Sequence, residues 1–135
     1  EIKIKIGTVS KKLSNQGEEI VRGRDLVTGL PTTVRVTSQE TARALGEPLG
    51  MLLACIRRVL EKAPPELAAD IVERGIVLTG GGALLDGIAE LIQDVTGLTT
   101  QVAESPLECV ALGTGKALTS IDMLQDNAAM VNYKF

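Results

Sequence analysis

Apolar and polar positions alternate with different periods along this chain, and each period predicts a different element. At the start, isoleucines at positions 2, 4 and 6 alternate with charged residues, a local pattern typical of a half-buried strand. Residues 8–17 are polar and predict a loop. Residues 19–24 and 32–37 are rich in β-formers and are joined by a segment containing Gly29 and Pro31, so they predict a β-hairpin.

A long amphipathic helix is predicted after the hairpin. Thr37 and Glu40 fit a capping box, and apolar residues recur at helical spacing from position 42 to position 60. Most of this apolar stripe is expected to face the core. Pro48 removes one hydrogen bond, which predicts a kink or a split in the helix. Pro64 and Pro65 stop the helix, and Pro65 is placed to begin a short helix that ends at Gly75.

The second half of the chain predicts strand, helix, strand and helix in that order. The predicted ranges are a buried strand at 76–79, a helix at 84–96 capped by Gly97, a strand at 99–103 and a helix at 106–124. Short connections between these elements predict a parallel βαβ unit and an α/β fold class. The hairpin and the long helix then form a smaller subdomain beside it, and the tail, 125–135, is expected to be disordered.

Composition narrows the possible functions. The 135 residues predict one domain or part of a larger one, and the net charge of −3 with scattered basic residues gives no footprint for nucleic acid. The chain has no histidine, which removes the usual zinc ligand and Ser-His catalysis. Cys55 and Cys109 lie in apolar surroundings and predict buried, reduced thiols. We therefore expect no metal site and no catalytic residue in this chain.

Segments that would direct the chain to a membrane are not evident in the sequence. No apolar run approaches the roughly 18 residues needed to span a bilayer, and no signal segment begins the chain. A cytoplasmic location is the expectation. Because the first residue is Glu rather than Met and the pattern starts abruptly, we expect a piece of a longer protein.

The most informative segment is the turn that follows the predicted strand at 76–79. Three consecutive glycines, Gly80, Gly81 and Gly82, stand between that strand and a predicted helix. Glycine lets the backbone approach a flat ligand, and a helix start offers unpaired N–H groups. The segment lacks the Gly-Lys-Ser/Thr of a phosphate loop and the spacing of a dinucleotide fingerprint. Nucleotide contact and a tight structural turn therefore both remain open on spacing alone.

Several motifs resemble one family closely. They are residues 64–75 (PPELAADIVERG), 78–85 (LTGGGALL), 21–26 (VRGRDL), 29–31 (GLP), 104–107 (ESPL) and 109–115 (CVALGTG). Together they resemble the bacterial actin homologues of the MreB/Mbl family, from residue 1 to about residue 124. The resemblance implies the second lobe of the actin/Hsp70-like (ribonuclease H-like) fold, C-terminal part only. It divides the chain into the end of an inner helix (1–17), a small outer subdomain (18–62), an inner α/β unit (63–124) and the tail.

The resemblance also implies a function for the parent protein. Members of the family bind ATP with Mg²⁺, hydrolyse it slowly and polymerise into membrane-associated filaments that direct cell-wall synthesis and rod shape. Implied partners are further copies of the protein and membrane proteins of cell shape and wall synthesis, with membrane contact through parts that this chain lacks. The phosphate-binding and catalytic groups of the family are also missing, so we expect the chain alone to be inactive.

By the same resemblance, the adenosine half of the ATP site falls on this chain. Residues 80–84 would lie against adenine and ribose, and they are Gly80, Gly81, Gly82, Ala83 and Leu84. Glu1 and Lys3 match the tail of a family helix whose lysine touches ribose and the adenine edge, so the resemblance predicts a helix where the alternation predicts a strand. Two alternatives stay open: a nucleotide-free module that binds filament or cell-shape partners, and a lobe of another actin/Hsp70-superfamily ATPase.

Overall fold

The first element is a short helix rather than a strand. The computed structural model describes residues 1–10 and 17–119, and in it Ile2–Ile6 form helix α1. A helix places Ile2 and Ile6 on one face and Ile4 on the other. Ile6 is buried, Ile2 is half-buried and Ile4 is exposed. The strand prediction from alternation was therefore wrong, and the helix implied by the family resemblance is confirmed.

The predicted hairpin is confirmed. Strands β1 (Glu18–Arg24) and β2 (Pro31–Thr37) pair antiparallel, with Glu18 opposite Thr37 and Arg24 opposite Pro31. The connecting loop is organised by Asp25, whose Oδ1 accepts hydrogen bonds from the backbone N–H of Thr28 (2.7 Å) and Val27 (2.8 Å). These two donors, Thr28 first, hold the pKa of the Asp25 carboxyl below its ordinary value of 3.8.

Helix α2 runs without interruption from Ser38 to Glu61. It begins with the predicted capping box, in which Thr37 Oγ1 accepts from the Glu40 backbone N–H and the Glu40 side chain accepts from the Thr37 N–H. Pro48 lies inside the helix and does not split it. One face of its apolar stripe packs on the core and is half-buried, whereas Met51, Leu52 and Val59 are exposed. The expectation that most of the stripe is buried therefore holds for one face only.

The second half has the predicted order, with shifted boundaries. Helix α3 (Pro65–Arg74) starts at Pro65 and is capped by Gly75. Strands β3 (Ile76–Leu78) and β4 (Thr100–Val102) pair in parallel, with Ile76 opposite Thr100, which confirms the parallel βαβ unit. Strand β3 is less buried than predicted, since Val77 is 53% exposed. The reason is that β3 has one partner strand in the described part of the chain.

The helix after the glycines begins later than predicted. Residues Gly81–Leu84 form a 3₁₀ turn, and helix α4 (Ile88–Thr96) starts only after Gly87, which is left-handed and cannot continue a helix. Gly97 caps α4 in a left-handed conformation, as predicted. Helix α5 (Cys109–Thr119) follows a turn at 105–108, so it also starts later than position 106. Its predicted end at 124 and the tail at 125–135 lie outside the described residues.

The core is small and aliphatic. Leu85, Ile88 and Ile92 form its buried cluster, and the half-buried residues packed against it come mainly from α2, β3 and α4. Both cysteines are free, but Cys55 is exposed and Cys109 only half-buried, so the prediction of buried thiols was wrong. Cys55 is exposed because it lies on α2 outside the face that packs on the core. The subdomain boundaries stay a prediction.

Within residues 1–10 and 17–119, no helix combines the length and apolar content that crossing a bilayer requires.

Candidate functional site

The residues at 80–84, here called the glycine corner, form a sharp turn at the carboxyl end of β3. Gly80 has φ +78° and ψ 177°, a conformation that a side chain would strain. Its N–H donates to the Pro106 carbonyl at 2.6 Å, which ties the corner to the loop after β4. Ala83 is buried, and its N–H donates to the Gly80 carbonyl at 3.2 Å. The corner is therefore held by the backbone of its own turn and of a neighbouring loop.

Side chains do not cover the backbone at the three glycines of the glycine corner. A Cβ added at Gly80 or Gly82 would meet no atom within 4 Å, and one added at Gly81 would meet Leu107 Cδ2 at 3.6 Å. The protein's own side chains therefore leave space beside the backbone that a flat ligand can occupy. A side chain at Gly82 would start in open space and extend into the surroundings of this backbone.

A cavity of about 320 Å³ lies beside Ala83. Gly82 and Ala83 contribute one wall, Lys3 of α1 contributes another, and Leu78 and Thr79 come from the end of β3. The remaining lining residues are aliphatic or proline side chains: Leu45, Pro48, Leu49, Leu52, Leu85, Ile56, Ile88 and Ile92. An apolar cavity of this size with few polar groups is typical of a small-ligand site.

The predicted site residues fall into four groups. Gly82, Ala83 and Lys3 line this cavity together, although Lys3 is remote in sequence. Gly80 shapes the turn, and Gly81 faces Leu107. Leu84 is exposed and lines a second recess of about 220 Å³, with the residues at 105–108. Glu1 is exposed and is not among the residues that line either recess. The assignment of all seven residues to a ligand stays a prediction.

Sequence reasoning missed two features of this site. The first is the role of the loop at 105–108, in which the Pro106 carbonyl accepts from the Gly80 N–H and Leu107 lies next to Gly81. The second feature is a hydrogen bond from Thr8 Oγ1 to Asp86 Oδ2 at 2.6 Å. It joins residues 2–10, here called the α1 segment, to the residues after the glycine corner. No local pattern signals either contact, because each joins segments that are distant in the sequence.

The chemistry of the cavity suits the purine half of a nucleotide. Aliphatic walls fit the faces of a flat base, and Lys3 and Thr79 supply polar groups at the edge. In the described ranges, no group of three or more His, Cys, Asp and Glu residues is arranged to hold a metal ion. Adenosine therefore fits the residues that line the cavity, whereas the described residues offer Mg²⁺ no cluster of ligands.

Solved structures define the class of protein. The chain superimposes with a TM-score of 0.84 on MreB5 of Spiroplasma citri bound to ADP, at 34% identity. A structure of the same protein bound to AMPPNP gives the same TM-score and identity. The match covers 93% of this chain and 38% of the ADP-bound chain. The fold is thus that of a part of a bacterial actin-like protein.

Sequence relatives give the family. A family model described as MreB/Mbl protein matches residues 1–126. The cell shape-determining protein Mbl of Bacillus cereus is 48% identical over 95% of this chain, and MreB of Escherichia coli is 50% identical over 79% of it. The chain belongs to the MreB/Mbl family of bacterial actin-like, cell shape-determining proteins. It spans 38% and 32% of the lengths of these two relatives.

Proposed function

We propose that the cavity beside Ala83 is the adenosine half of an ATP site. The observation that carries this proposal is the convergence of Lys3 and Gly82 on one apolar cavity, with open space where Gly82 lacks a side chain. Support comes from the structural neighbours, one of which is bound to ADP and the other to AMPPNP. ATP with Mg²⁺ is the proposed ligand, with the phosphates and the metal held by residues outside this chain.

The whole protein of which this chain is a part would use ATP to assemble. We propose head-to-tail polymerisation into filaments, because a heterologous contact that does not close propagates. The filaments would work at the membrane with partners of cell shape and wall synthesis, and the protein would otherwise be cytoplasmic. Membership of a family of cell shape-determining proteins supports this role. ATP hydrolysis would be slow and would depend on groups outside this chain.

A second candidate function, a nucleotide-free interaction module, is favoured by the tip of the hairpin. Leu26 is 99% exposed and Val27 94%, and the Asp25 carboxylate holds the loop that presents them. Arg24 Nε also donates to the Gly29 carbonyl at 2.7 Å, which braces the other side of the loop. Exposed aliphatic side chains on an ordered loop are typical of a contact surface. A measurement of nucleotide binding distinguishes the adenosine site from the nucleotide-free interaction module.

The test is a titration of this chain with ATP, followed by NMR at the amides of residues 80–84. Contacts to adenosine alone predict millimolar affinity, about 4 kcal/mol of binding free energy. Gly82→Val should remove the response, because the new side chain occupies the cavity. Gly81→Val should also weaken the NMR response to ATP, because a side chain at Gly81 changes the shape of the glycine corner.

The matched control is Gly23→Val, which makes the same change on exposed strand β1 where an added Cβ meets nothing within 4 Å. This variant should respond like the unmodified chain. Shifts at residues 80–84 that persist in Gly82→Val would contradict the assignment of the site. No shift at millimolar ATP in the unmodified chain would favour the interaction module.

A further inference from the structure

We propose that Thr8 and Asp86 form a clamp that positions Lys3 against the glycine corner. The proposal rests on the proposed adenosine site and assigns to these two residues a positioning role in ligand binding. Neither residue lines the cavity that Lys3 and Gly82 share. Their effect on a ligand would therefore pass through the placement of Lys3.

The clamp consists of a side-chain bond and a backbone bond side by side. Thr8 Oγ1 donates to Asp86 Oδ2 at 2.6 Å, and the Val9 N–H donates to the Asp86 carbonyl at 2.8 Å. Thr8 and Asp86 also form an isolated parallel β-bridge, and they are 78 residues apart in sequence. A short O–H···O bond to a carboxylate is stronger than a neutral one.

Burial makes the clamp dependent on the Thr8 hydroxyl. Thr8 has no exposed surface, and its Oγ1 accepts from the Ser10 N–H at 3.1 Å while donating to Asp86. The hydroxyl is thus satisfied both as donor and as acceptor. Removing it would leave the Ser10 N–H without this acceptor and the carboxylate without this donor, which costs more than the loss of an exposed hydrogen bond.

The clamp joins two segments that each follow a part of the cavity lining. Thr8 follows the end of α1, which carries Lys3, and Asp86 follows the turn Gly81–Leu84. The other bonds of α1 run to different elements: the Ile6 carbonyl accepts from Thr41 Oγ1 at 3.1 Å, and Lys5 pairs with Glu19. Those bonds fix α1 to α2 and to β1. The clamp is a hydrogen-bonded tie from the residues after α1 to the residues just after the glycine corner.

Two glycines show how closely the backbones approach there. A Cβ at Gly87 would lie 2.5 Å from the Ser10 nitrogen, so the chain after Thr8 runs directly against the residue after Asp86. A Cβ at Gly7 would lie 2.3 Å from the Lys3 carbonyl oxygen, so the backbone at the end of α1 packs tightly against Lys3. A displacement at Thr8 therefore passes to Lys3 through a short, tightly packed segment.

The test is a double-mutant cycle read by ATP affinity in NMR titrations of this chain. Thr8→Val keeps the shape and removes the hydroxyl, and we expect binding about 3- to 10-fold weaker. Thr8→Ser keeps the hydroxyl and should stay within about 2-fold of the unmodified chain. In a Lys3→Met background, Thr8→Val should cause no further loss, because the two residues act as one unit.

The control is Thr33→Val, the same change on exposed strand β2, which should leave affinity unchanged. Equal affinity of Thr8→Val and the unmodified chain would overturn the proposal. An equal loss in both Lys3 backgrounds would also overturn it, since Thr8 would then act through general stability. The thermal unfolding temperature of each variant, measured alongside the titrations, shows whether the substitution changes general stability.

A readout without ligand separates this proposal from the proposed function. In the free chain, Thr8→Val should speed hydrogen exchange at the Val9 amide and shift the Lys3 and Gly82 amides, whereas Thr33→Val should not. If the unmodified chain shows no response to ATP, the proposed function fails, and these shifts alone decide whether the clamp positions Lys3. Unchanged Lys3 and Gly82 amide resonances in Thr8→Val would contradict the positioning role of Thr8 and Asp86, even if the chain binds ATP.

Discussion

Gly87 and Gly97 adopt nearly the same left-handed conformation in different surroundings. Their φ/ψ values are 80°/3° and 73°/4°, so a side chain at either position pays the same backbone cost. A Cβ at Gly97 would meet nothing within 4 Å, whereas one at Gly87 would lie 2.5 Å from the Ser10 nitrogen and 2.6 Å from its Cα. A comparison of substitutions at Gly87 and Gly97 therefore distinguishes the cost of backbone strain, which both share, from the cost of a steric clash, which only Gly87 has.

We expect Gly97→Ala to lower the free energy of unfolding by about 1 kcal/mol, the cost of a left-handed alanine. Gly87→Ala should lose at least about 1 kcal/mol more, because backbone atoms of the α1 segment must move. Urea unfolding of both variants measures the difference. Equal transition midpoints would show that the segment around Ser10 does not pack against Gly87 as the structure describes.

At the scale of elements, local signals predicted most of the fold. The capping box at Thr37, the proline start of α3 and the glycine cap of α4 each depend on neighbouring residues, and each is confirmed. Alternation misled at α1, because isoleucines two apart satisfy a strand while those four apart also satisfy a helix face. The start of α4 was missed because the turn chemistry of Gly87 overrides the apolar period.

The candidate site was predictable only in part, for a related reason. The glycine corner is a local motif, and its bare backbone follows from its residue types. The approach of Lys3 to Gly82 came from family resemblance, since spacing carries no information about segments so far apart. The Thr8–Asp86 bond had neither a local signal nor a family motif behind it.

The capping box makes the start of α2 sensitive to acid. The Thr37 backbone N–H and then its hydroxyl, both bonded to the Glu40 carboxylate, lower the pKa of Glu40 below 4.5. A lowered pKa in the folded state means that this contribution is present above the unfolded value and is lost as pH falls through the folded one. NMR titration of the Glu40 carboxyl should therefore give a pKa below 4.5.

Substitutions in the capping box distinguish the contribution of the Glu40 charge from that of the hydrogen bonds. Glu40→Gln keeps an acceptor for the Thr37 N–H and should remove the acid dependence of the first turn of α2, followed by amide exchange. Thr37→Ala removes the cap and should cost about 1 kcal/mol of stability at neutral pH. If the Glu40 carboxyl titrates at 4.5 or above in the unmodified chain, the box does not form in solution.

At the scale of the whole molecule, the chain exposes apolar surface on several elements. Parallel sheets are normally covered on both faces, yet Val77 of β3 is more than half exposed. Helix α5 has no buried residue and exposes Val110 and Leu118. The chain spans 38% of the MreB5 chain with which it superimposes. Strand β3 and helix α5 thus both carry uncovered aliphatic side chains.

We therefore expect the isolated chain to self-associate, with sedimentation coefficients that rise with protein concentration. Val110→Lys and Leu118→Lys should each shift the equilibrium toward monomer, because a charge at a buried contact is costly to desolvate. The matched control, Leu26→Lys, tests whether association uses the hairpin tip: an unchanged equilibrium excludes the tip, and a loss of association assigns it to the tip. A cooperative monomer at all concentrations would contradict the expectation, since burying the exposed aliphatic residues of β3 and α5 is the driving force on which association depends.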